Sequence, residues 1–425
     1  MRHIPSTARS WSAFNVYLLI RAVVAFAYAL AFSVNIIYQT TVVQLDAAQL
    51  ILVGTVMEIT ILLCEIPTGI VADLYSRRLS ILIGYSIVGL SFILQAIPTV
   101  LMVFLAQIIW SFGYTFTSGA LEAWFVDEIT LEADGVSPDL SLYFLRASQW
   151  SNIGSISGII VAILLGSMWL PAPLIVSGVL LISLTLILRF IMPETAFQPQ
   201  PKEERNTWDS MQDILKQGVQ VIRRSRLLML IALITIVGGW YSEGLDRLWT
   251  KHLLENFTHP SGEFFTPVVI SGGISLIGAL IALFSAEMLR RWLPAHTASR
   301  SIRIQQIMSG LQVTVMLIFA LSGSFWVAVI ALISTQLLRE LRAVYYAAWL
   351  NPQLESSTRA TTLSVFSQTD ALGQIVGGPL VAFIGTISTI RITLAACATL
   401  LLPIIVLYQR ALKLQRPDVK VEIVS

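Results

Sequence analysis

Apolar residues along this chain neither alternate nor recur as narrow stripes. They run on for about 20 residues at a time, the length of helix that crosses a hydrocarbon layer of roughly 30 Å. Twelve such runs begin near residues 12, 48, 79, 99, 141, 172, 227, 266, 302, 325, 361 and 387. The pattern predicts an all-α polytopic membrane protein with twelve transmembrane helices. Its first run, NVYLLIRAVVAFAYALAFSVNII, is too long for the core of a cleaved leader and has no small-residue cleavage site, so it is read as a retained helix.

The one long polar interruption, residues 193–226, parts the runs six and six. The expected organisation is a six-helix bundle over 1–192, a cytoplasmic linker over 193–226, a second six-helix bundle over 227–410 and a cytoplasmic tail over 411–425. The linker opens rich in proline, and its later part sets Trp208, Met211, Leu215 and Ile222 near one helical stripe. That stripe predicts either a helix lying on the inner membrane surface or a soluble linker helix.

Composition sharpens the class. Hydrophobic residues make up 56% of the chain and charged ones 12%, against roughly 25% charged in soluble domains, which excludes a single water-soluble core. A net charge of +2 gives no reason to expect a nucleic-acid partner. Cys64 and Cys397 fall inside apolar runs and suggest neither a disulfide framework nor a metal site. With the N-terminus inside, only Arg247, Lys251 and Arg391 sit near outer ends, Arg21 and Arg146 lie within spans, and the other basic residues fall at inner ends, loops or tails. The positive-inside rule then places both termini in the cytoplasm and the chain in the cell membrane. Residues 127–139, DEITLEADGVSPD, are inside by this count yet wholly acidic. Acids weigh little in the rule, so the assignment stands.

The halves share an internal repeat. SQWSNIGSISG at 148–158 and SQTDALGQIVG at 367–377 match in Ser, Gln, Gly, Ile and Gly at an offset of 219 residues, in spans five and eleven. Ala72-Asp73 with Arg77, at the end of span two, is echoed by Ala286-Glu287 with Arg291 at the end of span eight. Two pseudo-symmetric six-helix bundles are therefore expected, an architecture of transporters that bind substrate near the midplane.

The segment GIVADLYSRR, residues 69–78, resembles the signature that follows the second helix of the major facilitator superfamily, matching at Gly69, Asp73, Arg77 and Arg78. It departs at Leu74, where a basic residue is usual, and at Ser76, where glycine is usual. Together with SGALEAWFVDE at the end of span four, it is similar to bacterial drug:proton antiporters of the macrolide and tetracycline efflux type. The resemblance implies a conformational latch: Asp73 against the start of helix eleven near Ser357 to Thr362, where free N–H groups and the helix dipole favour an acid. Arg77 would hold Asp73, Arg78 would anchor at the anionic inner surface, and Arg146 would replace an arginine that the family carries in span four. It further implies a cavity lined by helices one, four, seven and ten, exposing Tyr28, Asn35, Trp110, Tyr114, Thr117, Trp240, Tyr241, Gln336 and Tyr345. Each of these is equally an ordinary packing residue.

Charges within spans cost roughly 2.5–3.5 kcal/mol each on insertion scales and so invite a partner or a function. Arg21 and Glu65 lie on the order of 12–14 Å deep and are placed to meet. With Glu122 and Arg146 they alternate in sign across four helices, which predicts a buried charge network. Glu58, two turns farther out, has no basic residue of its own half at that depth. It suits a proton carrier, or a protonated acid bonded between helices. In span seven Glu243 and Arg247 are four apart and can pair, Asp246 has no partner on its own helix, and glycines 238, 239 and 244 predict a weakened or bent helix. That cluster reads as an external gate, a proton site or a solvated helix end. Ser367, Asp370, Gln374 and Gly377 share one stripe of span eleven, as Ser148, Ser151, Ser155 and Gly158 do in span five. Small residues there predict helix packing, whereas an acid does not help packing. The proton-coupling candidates are thus Glu58, Asp370, Glu65 and Asp246.

No phosphate loop, nucleophile elbow or metal-spaced His/Cys cluster is present, and the four histidines, 3, 252, 259 and 296, are read as lying in tails and loops. Neither an enzyme nor a cofactor is expected. The leading expectation is a monomeric, proton-coupled exporter of amphipathic small molecules in the lipid bilayer. The alternatives are uptake of a specific nutrient or anion, with Arg21 and Arg146 on the substrate, and a non-transporting membrane sensor.

Overall fold

The computed structural model describes residues 11–133, 139–197, 216, 219–258, 265–292, 298–354 and 359–415. They form fourteen principal helices: α1 (Ala13–Thr41), α2 (Ala47–Leu74), α3 (Arg77–Gln95), α4 (Val100–Thr117), α5 (Ala120–Glu132), α6 (Leu140–Met168) and α7 (Ala172–Ile191). There follow α8 (Arg226–Asn256), α9 (Pro267–Trp292), α10 (Ala298–Leu321), α11 (Phe325–Leu350), α12 (Arg359–Ile387), α13 (Ile390–Leu400) and α14 (Leu402–Gln415). Helix starts obey local chemistry: Ser12, Ser76, Thr99, Ser225 and Thr389 each accept a hydrogen bond from the N–H three residues on.

Among the described residues eleven segments are long and apolar enough to cross a membrane, with α4–α5 and α13–α14 each counting as one. The twelfth expected span, α11, has the length, but every 18-residue stretch of it contains Arg339, Glu340 and Arg342. Span four breaks at Ser118–Gly119, where Gly119 takes φ 74°, a left-handed conformation that glycine adopts without a Cβ clash. The predicted weak point of span seven is absent, because α8 runs without interruption from Arg226 to Asn256. Its glycines serve close packing instead. A Cβ on Gly239 would lie 2.4 Å from the Asp370 carbonyl oxygen, and one on Gly244 would lie 2.4 Å from the Cys397 sulfur.

Packing groups the chain into two compact units, Met1–Leu45 with Val56–Thr207 and Gly262–Ala279, and Asp46–Thr55 with Trp208–Ser261 and Leu280–Ser425. Helices α2 and α9 therefore each contribute to both. Inside the first unit α6 crosses α1 closely: Cβ atoms on Gly154 and Gly158 would stand 2.3 and 2.5 Å from the carbonyl oxygens of Ala22 and Phe26. Inside the second, α12 crosses α8 in the same manner, with Gly373 2.3 Å from the Ile236 oxygen and Gly377 2.6 Å from the Trp240 Cα by the same construction. These glycines are 219 residues apart, as in the sequence repeat, while their partners are 214 apart, the offset that also relates Ala72 to Ala286. The repeat thus extends to a helix pair with no visible sequence match, because close crossing requires only that the α6 and α12 positions lack a side chain.

Of the linker stripe, Trp208, Met211 and Leu215 lie outside the described residues, and Ile222 is buried in a helical stretch. His3, His259 and His296 also lie outside, as do the side chains of Glu287 and Arg291. His252 belongs to no loop. It is fully buried on α8, its Nε2 3.1 Å from the Phe319 carbonyl oxygen.

Candidate functional site: two charged cavities

In the first unit the break before α5 creates a helix N-terminus inside a span, and Glu122 sits in its first turn, where the dipole favours an acid. Arg21 of α1 donates through Nη1 to Glu122 Oε1 at 3.2 Å and through Nε to Ser151 Oγ of α6 at 3.2 Å. This group lines a cavity of about 430 Å³ that also takes in Tyr28, Tyr85, Tyr114, Thr117, Ser118 and Gly119. Both partners keep solvent access, their side chains being 36% and 46% exposed. Glu65 and Glu58, on α2, act with Glu122 on the Tyr114 hydroxyl, which brings three carboxyls into the field of one phenol. Next to it, Trp110 stacks on Tyr114 at 5.2 Å, and Tyr28 meets Phe32, Phe92 and Trp110 at 5.8–6.0 Å. Asn35 is not part of this lining. It is buried in an amide cluster, its Oδ1 accepting from Gln39 and Gln95.

The expected four-member network is smaller than predicted. Arg146 is exposed at the start of α6 beside Phe14, Asp139 and Tyr143, and forms no ion pair among the described residues. Its position one turn and a half into α6 leaves it at the helix end, well short of Arg21. Nearby, Asp139 caps α6, and the Ser141 hydroxyl and N–H groups that it accepts hold its carboxyl below the usual range.

In the second unit Asp246 of α8 finds its partner on another helix. Arg339 of α11 donates through both terminal nitrogens, Nη2 reaching Asp246 Oδ2 at 3.0 Å, in the forked geometry that suits a carboxylate. Asp370 of α12 lines the same cavity, about 300 Å³, and accepts from Gln374 Nε2 at 3.0 Å. Tyr241, Arg342, Tyr346 and Tyr408 complete the walls, with Tyr346 bonded to Thr235 at 2.8 Å. Trp240 Nε1, Gln336 Oε1 and Arg342 Nε are buried without a hydrogen-bond partner. Tyr345 is half-buried on α11. Sequence reasoning assigned Arg339 to an inner end and so missed it. The available signal was a span of adequate length whose every window held three charges, alongside a solitary acid in span seven.

The predicted pair Glu243–Arg247 forms at 3.1 Å, with Glu243 only 3% exposed. Gly54 of α2 packs against it so closely that a Cβ would stand 1.5 Å from Glu243 Oε1.

At the expected inner end, α2 stops at Leu74 and α3 restarts at Arg77 after a turn capped by Ser76. The turn interrupts the helix on which Asp73 and Arg77 would pair at i,i+4; Arg77 remains close enough to act on the Asp73 charge, but its direct ion pair lies elsewhere. Arg77 is held by Asp127 and by the Ala123 carbonyl, 2.9 Å away, while Asp73 is exposed and Gly69 has open space around it. Arg78 donates to the Arg189 carbonyl at the end of α7. Of the acidic stretch that resisted the charge rule, Asp127 binds Arg77, Glu128 accepts from Thr195 and Ala196 at 2.6–2.8 Å, and Glu132 accepts the first N–H of α1 at 2.9 Å, while Asp134 lies outside the described residues. Asp127, Glu128 and Glu132 are thus structural acceptors on the last turns of α5. Of the start of helix eleven against which Asp73 was expected, near Ser357 to Thr362, residues 357 and 358 lie outside the described residues.

The family model of the Major Facilitator Superfamily matches residues 17–338. An uncharacterized MFS-type transporter, YxaM, of Bacillus subtilis (strain 168) is 24% identical over 390 residues, which cover 89% of this chain and 91% of YxaM. Among solved structures, the nucleoside transporter NupG superposes with a TM-score of 0.75 at 15% identity, covering 95% of this chain and 100% of NupG. A POT family transporter in complex with 5-aminolevulinic acid superposes with a TM-score of 0.73 at 12% identity, covering 95% and 96%. At these identities the structural likenesses carry the fold alone.

Proposed function

The chain belongs to the Major Facilitator Superfamily, and on that premise we propose that it is a proton-coupled exporter of amphipathic small molecules that works by alternating access. The family and the YxaM relative support secondary transport. The observation that carries the coupling is the bond between Asp370 and Gln374 beside the Asp246–Arg339 pair. A guanidinium partner stabilises only the ionised carboxylate. An amide donates to the carboxylate and, turned over, accepts from the carboxylic acid, so Gln374 supports Asp370 in both protonation states. Asp246, clamped by Arg339, is the fixed charge; Asp370 is the exchanging one. Glu58 and Glu65 stay as second candidates in the other cavity. The aromatic group of Tyr28, Phe32, Trp110 and Tyr114 supports a bulky, partly apolar substrate.

One feature favours the alternative, uptake of an anionic nutrient: Arg342 of α11 lines the second cavity, its guanidinium bonded to Tyr408 and its Nε buried without a hydrogen-bond partner. Everted vesicles separate the two. For the exporter, adding an amphipathic cation releases protons, and Asp370→Asn lowers that release about a hundredfold. Unchanged release in Asp370→Asn combined with Glu58→Gln removes proton carriage from both acids. For the anion reading, Arg342→Gln raises KM for an anionic substrate about tenfold and leaves cationic compounds unaffected.

A further inference from the structure

A trough of about 750 Å³ runs between α3 and α7 in the first unit. Leu79, Leu82, Ile83, Ile87 and Leu186 form its walls, and Leu79 and Leu186 are 46% and 59% exposed. On a surface that spans a bilayer, such an apolar trough meets hydrocarbon. Its basic end carries Arg78 and Arg189. The Arg78 guanidinium donates to the Arg189 carbonyl, which leaves further N–H donors of the five-donor fork. Arg189 is exposed and forms no ion pair among the described residues. Glu194 lies at the same rim but is engaged at the start of α3, accepting from Ser76 Oγ at 2.7 Å and from the Arg78 N–H at 2.9 Å.

We propose that this trough holds an anionic phospholipid, its phosphate at Arg78 and Arg189 and one acyl chain along the α3–α7 groove. Charge complementarity selects the headgroup, and the apolar walls select the tail. The dimensions agree: α3 rises about 12 Å from Leu79 to Ile87, most of the roughly 15 Å of one leaflet's hydrocarbon. Arg78 is also the residue that ties the start of α3 to the end of α7, so a bound headgroup would brace that junction. The trough lies on a lipid-facing surface, apart from both charged cavities.

The full chain in bilayer discs of equal parts phosphatidylglycerol and phosphatidylcholine, released gently and weighed by native mass spectrometry, tests the site. The wild type is expected to retain one phosphatidylglycerol with at least about tenfold preference. Arg189→Gln, which removes no side-chain hydrogen bond inside the described protein, lowers the preference at least threefold, and Arg78→Gln with Arg189→Gln abolishes it. Ile83→Trp fills the trough with both arginines kept, and reduces retention of both lipids. Undiminished phosphatidylglycerol preference in folded Arg189→Gln protein overturns the proposal. Displacement of the lipid by inorganic phosphate or glycerol phosphate overturns it equally, since the site would then serve a free anion. If the double variant does not fold, the single variant decides.

Discussion

In the first unit the arginine of the cavity, Arg21, stands on the opening helix and its acid, Glu122, on span four; in the second the acid, Asp246, stands on the opening helix and Arg339 on span ten. The pairs are not in register: Arg21 and Asp246 are 225 residues apart on helices related by an offset of 214, so each unit places its ion pair at a different level with the charges exchanged between helices. Ser151 and Asp370 occupy one repeat position, 219 apart. The first is a neutral partner of Arg21, the second an acid held by an amide. Backbone crossings at Gly154 and Gly373 are kept while the chemistry beside them diverged. A helix crossing tolerates almost no change, since any Cβ meets a carbonyl oxygen, whereas a charged pair works with either sign on either helix. What distinguishes the second unit is thus an additional carboxyl on its α12.

The largest expected effect tests that carboxyl. Asp370→Asn is predicted to lower substrate-dependent proton movement about a hundredfold, while Ser151→Ala, at the matching position, changes it by less than about threefold. Equal losses would mean that the two positions share a role and would break the contrast. Next, Gly154→Ala and Gly373→Ala should each destabilise the protein by about 1–3 kcal/mol, read as a fall in Tm in detergent. A shift in only one variant would undo the equivalence of the two crossings.

Smaller effects come from the ion pairs. A double-mutant cycle on Asp246 and Arg339 is expected to give a coupling of about 1–2 kcal/mol, because both terminal nitrogens of the guanidinium bind one carboxylate. The same cycle on Arg21 and Glu122, exposed to nearly the same degree but joined by a single bond, should give less than about 1 kcal/mol. Smallest of all, Asp73→Asn should leave stability within about 0.5 kcal/mol, since the side chain is exposed and the neighbouring Arg77 is held by Asp127. If the latch operates, the same variant slows transport more than it lowers expression, which a parallel uptake and expression assay would show.

Much of the fold was legible in the chain, and less of the site. The Glu243–Arg247 pair was readable because both residues lie on one helix. Between Asp73 and Arg77 the helix breaks at Tyr75 and Ser76, and the direct ion pair of Arg77 goes to Asp127 on α5, a partner from another helix that the segment itself does not reveal. Arg339 was overlooked because a charge near a span end reads as solvated until a partner from another helix is seen. The acids of 127–132 looked like an exception to a charge rule and are hydrogen-bond acceptors for three separate segments.

By itself the sequence determined the class and the places of eleven spans, with the charged α11 recognised by its length. Hydrocarbon thickness dictates run length, and a backbone in lipid must satisfy its own hydrogen bonds as helix. Tertiary structure alone decided which charge meets which. An apolar run leaves the rotation of its helix about its own axis open, and that rotation is set by packing contacts such as those at Gly154 and Gly373. Only after it is set do Arg21 turn to Glu122, Asp246 to Arg339, and Asp370 to the amide of Gln374.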